Sequence, residues 1–187
     1  EEIEQKLLGW YPFRILNLLK HLKRPNSKRG SRRNIADHYD LGNDFYQLWL
    51  DPGMTYSSAW FESDKETLQQ AQCNKYQKIA EKLRLHAGQR VLEIGCGWGG
   101  FAEVATREYG CHVTGVTLSR EQHDYAKTRI RNVGLQDHVE LILQDYRELS
   151  GSFDRIVSIE MLEAVGERHW KTYFTQLRNL LNPAGEA

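Results

Sequence analysis

The sequence has no apolar run near the roughly 20 residues that a transmembrane helix needs, and no signal peptide is recognisable in it. It contains only three cysteines, Cys73, Cys96 and Cys111, whose spacing suits neither a metal site nor a disulfide framework. Unpaired cysteines fit a reducing compartment better than an oxidising one. We therefore expect a cytoplasmic protein without a metal centre.

Net charge is also absent, because 25 Lys and Arg balance 25 Asp and Glu. The balance hides a basic N-terminus, since residues 1–36 contain nine Lys and Arg but only three Glu. Residues 3–22 are predicted to form an amphipathic helix, and "RPNSKRGSRRN" a linker. This pattern suits an anionic membrane surface, and nothing in it resembles a nucleic-acid stacking platform. We expect residues 1–34 to be a basic helical extension that associates peripherally with membranes; a solvated linker without a partner is the alternative.

In the rest of the chain, residues 35–187, short apolar runs typical of buried strands alternate with segments of helical periodicity. Ser63 and Glu66 form a capping-box pattern that predicts a helix to about Leu85. After "HAGQ", four short apolar runs alternate with amphipathic segments, and these strands are predicted from "RVLEI", "CHVTGV", "HVELIL" and "FDRIVSI". The alternation predicts an α/β fold with a parallel, doubly wound sheet flanked by helices. The last helix ends at "NPAG", where a fifth strand is expected to begin, so we expect the C-terminal part of the sheet to be missing from the chain.

The glycine-rich turn in "VLEIGCGWGGF" follows the first strand and opens a helix, where backbone N–H groups and the helix dipole meet ligands. Gly95, Gly97 and Gly100 fit the dinucleotide pattern G-x-G-x-x-G. A nicotinamide site also needs an acid about 20 residues further on, and none occurs between Glu108 and Glu121. The turn is better described as E-x-G-x-G-x-G, starting at Glu93, which is similar to the first motif of class I S-adenosylmethionine-dependent methyltransferases.

Six motifs, read together, make the resemblance more specific. They are "HYDLGNDFYQLWLD", "MTYSSAWF", "VLEIGCGWGGFA", "GVTLSREQ", "LQDYRE" and "FDRIVSIEMLEAVG". Their order and spacing resemble the cyclopropane fatty acid synthase family of S-adenosylmethionine-dependent methyltransferases. The resemblance implies a class I, Rossmann-like methyltransferase domain over residues 35–187. It also implies transfer of a methylene group to the cis double bond of unsaturated phospholipid acyl chains, with a bound bicarbonate as base.

The resemblance also implies roles for individual residues. It assigns Tyr56 and Ser57 to the methionine end of the cofactor and Gly95 and Gly97 to backbone contacts, with Glu93 near the positive charge. Further cofactor-binding residues implied in this way are Thr117 and Gln122 near the ribose and Asp145 and Tyr146 near the adenine. We expect Tyr56 and Ser57 to lie in a cofactor cover formed by "MTYSSAWF", behind which Trp60 and Phe61 pack.

Two positions carry the predicted chemistry. Glu163 matches the carboxylate that helps to hold bicarbonate, and Glu160, three residues earlier, is expected on the same helical face as a surface glutamate. Ser58 stands where well-known members of the family carry cysteine, and its hydroxyl and N–H remain available as donors for bicarbonate.

The sequence leaves open a methyl- or methylene-branched lipid product, a small-molecule amine substrate, a cofactor-binding membrane module without turnover, and a homodimer.

Overall fold

A computed structural model of the protein describes residues 42–187. The predicted extension over residues 1–34 lies outside the described residues, and so do the first four residues of the motif that begins at His38. The described α-helices and strands, in chain order, are α1 (Gly42–Gln47), α2 (Leu68–Lys82), β1 (Arg90–Ile94), α3 (Gly100–Tyr109), β2 (His112–Thr117), α4 (Arg120–Asn132), β3 (Val139–Leu143), β4 (Phe153–Val157), α5 (Leu162–Val165), α6 (Trp170–Leu180) and β5 (Leu181–Glu186).

The five strands form one sheet in the order β3-β2-β1-β4-β5, and every pair of neighbours is parallel. In the central register, Leu92 of β1 pairs with Thr114 on one side and Ile156 on the other. From β1 the chain first adds β2 and β3 on one side of the sheet and then β4 and β5 on the other. At this switch point the carboxyl ends of β1 and β4 open a crevice. The predicted parallel, doubly wound α/β fold is confirmed.

Helices cover both faces of the sheet, which explains why the strands are apolar rather than alternating. Val91 and Val113 face a core that includes residues of α2, α3 and α4, whereas Leu92 and Ile156 face a core that includes residues of α6. All four side chains are almost fully buried. The two cores hold the central strands rigidly, so their carboxyl ends can position a site.

Two predictions of element boundaries are wrong. Helix α2 begins at Leu68, with Thr67 and Gln70 as its reciprocal capping box, and not at Ser63. The carboxylate of Glu66 instead accepts the Glu62 N–H at 2.8 Å, which closes a separate turn ahead of the helix. The chain also ends in a complete strand, β5, which pairs with β4, although a fifth strand was expected only to begin where the chain stops.

Candidate active site

The glycine turn between β1 and α3 has the backbone that its sequence requires. Gly95, Gly97 and Gly99 all have positive φ values, at 80°, 52° and 81°. A Cβ atom on Gly95 would lie 2.5 Å from the Met161 sulfur, so this glycine permits close packing of the loop after β4. A Cβ atom on Gly97 would meet nothing within 4 Å. The backbone at Gly97 therefore faces open space in which a ligand could lie.

Glu93, the penultimate residue of β1, is a buried acid beside this turn. Its side chain is 3% exposed, and its Oε2 atom has no hydrogen-bond partner among the described residues. Burial raises the pKa of Glu93 to about 8, although a hydrogen bond from the Ala102 backbone and the charges of Arg129 and Lys75 act in the opposite direction. An orphaned carboxylate oxygen next to an open glycine backbone fits the positively charged methionine end of S-adenosylmethionine.

Thr117 and Gln122 are joined where β2 ends and α4 begins. The Thr117 hydroxyl donates to Gln122 Oε1 at 2.9 Å and accepts the Ser119 N–H at 3.2 Å. Ser119 caps α4 by accepting the Gln122 N–H at 3.2 Å, and the Gln122 side-chain oxygen accepts from Thr117 rather than from the backbone of the cap. Thr117 and Gln122 are both buried and uncharged, and they lie at the carboxyl end of β2, the neighbour of β1.

Asp145 and Tyr146 follow β3 at the same edge of the sheet. Asp145 is fully buried, and its carboxylate accepts hydrogen bonds from Arg147 Nε at 2.8 Å and Arg147 Nη2 at 2.6 Å. The Tyr146 ring packs edge-on against Tyr173, with 5.3 Å between ring centroids. The guanidinium of Arg147 therefore fixes Asp145 in place beside the Tyr146 ring.

The "MTYSSAWF" stretch lies between α1 and α2 and has the composition of a cover. Tyr56 is 45% exposed, and its ring contacts Tyr46 and Trp49 edge-on, at 5.8 Å from each. Trp60 and Phe61 do not pack behind it as predicted, because both are more than half exposed. Trp60 instead lies under the Lys78 ammonium on the outside of α2, with 5.4 Å from the nitrogen to the ring centroid.

Sequence reasoning missed the side chains of α2 that hold this cover. Gln72 Nε2 donates to the Ser57 carbonyl at 2.8 Å, and Lys75 Nζ donates to the Ser57 hydroxyl at 2.5 Å. Lys75 also donates to Gln72 Oε1 at 2.7 Å. The sequence contained a signal for this contact, because Gln72 and Lys75 are three residues apart on the helical face that also carries the buried Ala71 and Tyr76.

Lys75 is a buried amine within a group of acids. Burial lowers its pKa to about 8, and Glu160, Asp51 and Glu93 act in the opposite direction, with Glu160 the strongest of the three. Its side chain therefore lies close enough to interact with carboxylates on both β1 and the loop after β4. A cation at this position connects the cover to both parts of the site.

Ser58 and Glu160 form a contact that the sequence did not predict. The Ser58 N–H and hydroxyl both donate to Glu160 Oε1, at 2.9 and 2.5 Å. Glu160 is exposed, as predicted, but it precedes α5 and has a φ of 51°, so it does not share a helical face with Glu163. Glu163 lies in the first turn of α5 and is exposed. The structure thus brings Glu160, and not Glu163, onto the cover.

With these elements in place, comparison with known proteins identifies the family. Residues 26–187 match the family model described as "Mycolic acid cyclopropane synthetase". The chain belongs to this family. Its membership confirms the resemblance found in the motifs.

Individual proteins are similar over most of the chain. A "Probable fatty acid methyltransferase" of Pseudomonas putida is 44% identical over 165 residues, which is 87% of this chain and 42% of that protein. The "Cyclopropane-fatty-acyl-phospholipid synthase" of Escherichia coli K12 is 46% identical over 149 residues, which is 80% of this chain and 38% of that protein. The chain thus spans about two fifths of the length of these relatives.

A solved member of the family has the same fold. The mycolic acid cyclopropane synthase CmaA1, complexed with SAH and CTAB, superimposes with a TM-score of 0.79 at 35% identity. The match covers 86% of this chain and 54% of that one. It confirms the methyltransferase fold.

None of the helices within residues 42–187 is long and apolar enough to cross a membrane.

Proposed function

We propose that the protein transfers a methylene group from S-adenosylmethionine to the cis double bond of unsaturated phospholipid acyl chains, forming cyclopropane fatty acids. The observation that carries the cofactor part is the Oε2 atom of buried Glu93, which has no hydrogen-bond partner within residues 42–187 and precedes a glycine turn whose backbone is open at Gly97. The similarity to an E. coli protein named cyclopropane-fatty-acyl-phospholipid synthase supports the acyl chain as substrate.

The cofactor would lie across the carboxyl ends of β1, β2 and β3. Glu93 would hold the positive methionine end, and the glycines would let the backbone approach it. Tyr56 and Ser57 would cover that end from above. The ribose is assigned to Thr117 and Gln122, at and after the end of β2. The adenine is assigned to Asp145 and Tyr146, which follow β3.

When bound, S-adenosylmethionine supplies an electrophilic methyl group. An alkene is a poor nucleophile, so the protein must hold it aligned in a site without competing water. The rings of Tyr56, Tyr46 and Trp49 form a connected aromatic cluster next to the cover. Aromatic faces at such a site can stabilise positive charge on the acyl chain by about 0.5–2 kcal/mol each.

Ring closure then requires a proton acceptor near the cover, and the resemblance assigns Ser58 and Glu163 to this chemistry. The resemblance implies that bicarbonate is this acceptor and that Ser58 donates to it. Both Ser58 donors bind the Glu160 carboxylate instead. Bicarbonate therefore stays a prediction, and the Ser58–Glu160 contact argues against it.

A branched lipid is the second candidate product. The relative from P. putida is named a probable fatty acid methyltransferase, and Ser58 stands where the resemblance leads one to expect cysteine. If proton loss does not close the ring, the same carbon skeleton would carry a methyl or methylene branch.

To test the lipid reaction, the full-length protein is incubated with methyl-labelled cofactor and vesicles of cis-unsaturated phospholipid. Released fatty acids are then separated by gas chromatography and mass spectrometry. We expect label in the acyl chain and a product with a ring. Label in a branched chain would support the second candidate, and label only in amines or in no lipid would refute both lipid reactions.

We also propose that residues 1–34 bring the enzyme to an anionic membrane surface from the cytoplasmic side. The support is the excess of basic residues in this segment. Deleting residues 1–34 should weaken sedimentation with anionic vesicles, and the difference from the intact protein should shrink as salt is added. Equal sedimentation of both proteins at low salt would contradict this role.

A further inference from the structure

Ser58 presents two donors to one anionic oxygen. Its N–H and hydroxyl converge on Glu160 Oε1 at 2.9 and 2.5 Å, although the two residues are 102 positions apart in the chain. Hydrogen bonds to a charged acceptor are shorter and stronger than neutral ones. This donor pair is the arrangement that would hold an oxygen of a small oxyanion, and here a side chain of the protein fills it.

Glu160 has an unusual backbone conformation. Its φ of 51° lies in the left-handed region, which residues other than glycine and asparagine rarely adopt. Strained conformations of this kind persist where the surroundings fix them, and they cluster at functional sites. The next residue, Met161, packs against Gly95 of the cofactor turn. Glu160 therefore lies between the cofactor turn and the cover.

A buried cation lies near Glu160. Buried Lys75 is close enough for its ammonium to interact with Glu160, and it is hydrogen-bonded to Ser57, the neighbour of Ser58. A bicarbonate at the Ser58 donors would have to displace Glu160 and then lie beside a second negative charge. Like charges this close are unfavourable, so the described residues do not fit bicarbonate at this position.

We propose that Glu160 is the proton acceptor of ring closure and takes the place of bicarbonate. This inference rests on the proposed function. After methyl transfer, a C–H bond of the added methyl group breaks and its electron pair forms the second C–C bond of the ring. The proton passes to the Glu160 carboxylate, which becomes a carboxylic acid and then returns the proton to solvent. Ser58 is a positioning residue, because it acts by holding the Glu160 oxygen.

The first experiment compares turnover of the full-length protein in bicarbonate-depleted and bicarbonate-supplemented buffer, together with binding of ¹³C-labelled bicarbonate measured by NMR line broadening. We expect equal turnover in both buffers and no broadening. Turnover that depends on bicarbonate, or broadening by the wild-type protein, would overturn the inference. Complete absence of a lipid product in both buffers would instead overturn the proposed function, while the NMR readout would still test Glu160.

The second experiment uses Glu160→Gln, which preserves shape but removes the base. We expect turnover to fall roughly 10²–10⁴-fold, the usual contribution of a general base, with cofactor affinity unchanged. Glu160→Gly suits the left-handed backbone and frees the Ser58 donors, so bicarbonate should bind to it and partly restore turnover. Glu167→Gln, an exposed glutamate seven residues further on, is the matched control. Near-normal turnover of Glu160→Gln, or no rescue of Glu160→Gly, would contradict the assignment.

Discussion

Lys75 of α2 donates a 2.5 Å hydrogen bond to the hydroxyl of Ser57 in the cover. Its neighbour on the same helical face, Gln72, binds the Ser57 carbonyl at 2.8 Å, so one residue of the cover is held through both its side chain and its backbone. The site is therefore more than a glycine turn. Helix α2, which follows the cover in the chain, fixes the part of the cover that is proposed to face the methionine end of the cofactor.

The first prediction concerns this attachment. Lys75→Met keeps the length of the side chain but removes its donors, and a hydrogen bond to a charged group is worth about 1.5–3 kcal/mol. We expect cofactor affinity, measured by calorimetry, to fall roughly tenfold or more because the cover is no longer fixed. Lys82→Met, which changes an exposed lysine at the end of the same helix, should leave affinity unchanged. Equal affinities of the two variants would show that the Lys75 contact does not support binding.

The second prediction follows from the raised pKa of Glu93. In the free protein this acid has a pKa of about 8 and is mostly protonated at pH 7. A cationic ligand favours the ionised form, so it lowers the pKa towards the ordinary value of 4.5 and expels the proton. Binding of S-adenosylmethionine should therefore release protons between about pH 4.5 and 8, measured by calorimetry in buffers of different ionisation enthalpy.

Glu93→Gln provides the control for this proton release. The variant has no titrating group at position 93, so binding should no longer depend on the ionisation enthalpy of the buffer. The same release in wild type and variant would mean that another group titrates and that Glu93 does not face the cofactor charge.

The third prediction concerns Gly97 and distinguishes two effects of a side chain there, the loss of space for the cofactor and the strain of the backbone. Gly97→Ala adds a Cβ atom that meets no protein atom within 4 Å, at a φ of 52°. We expect a stability loss of about 1–2 kcal/mol from the left-handed backbone, with cofactor affinity reduced far more because the new methyl group occupies the ligand's space. Gly134→Ala, at a φ of 73° and equally open, is the matched control. It should lose similar stability in thermal unfolding but no affinity.

The fourth prediction concerns Glu163. Glu163→Gln should reduce turnover less than tenfold and leave cofactor affinity intact, because this exposed side chain lies in the first turn of α5 while Glu160 binds the cover. Turnover in the lipid assay and cofactor affinity from calorimetry check both parts. A larger loss of turnover in Glu163→Gln than in Glu160→Gln would return the chemistry to Glu163.

Local patterns predicted much of this protein. The positions of β1 to β4 follow from short apolar runs, and the turn at Gly95, Gly97 and Gly99 follows from the need for positive φ. The start of α2 was missed because two capping-box patterns, at Ser63 and at Thr67, lie four residues apart, and only contacts made by the Glu66 side chain distinguish them.

The sequence alone determined the family, the alternation of strands and helices, and the residues of the glycine turn, because each depends on residues close together in the chain. Only the tertiary structure decided which groups meet at the cover. Ser58 and Glu160 are 102 residues apart, and their contact needs both the crevice beside β4 and a left-handed backbone at Glu160. No local pattern specifies such a contact, since a helical extension of α5 would have directed the same carboxylate elsewhere. The proton acceptor proposed for this protein is therefore a result of its fold, while the cofactor turn can be read from its sequence.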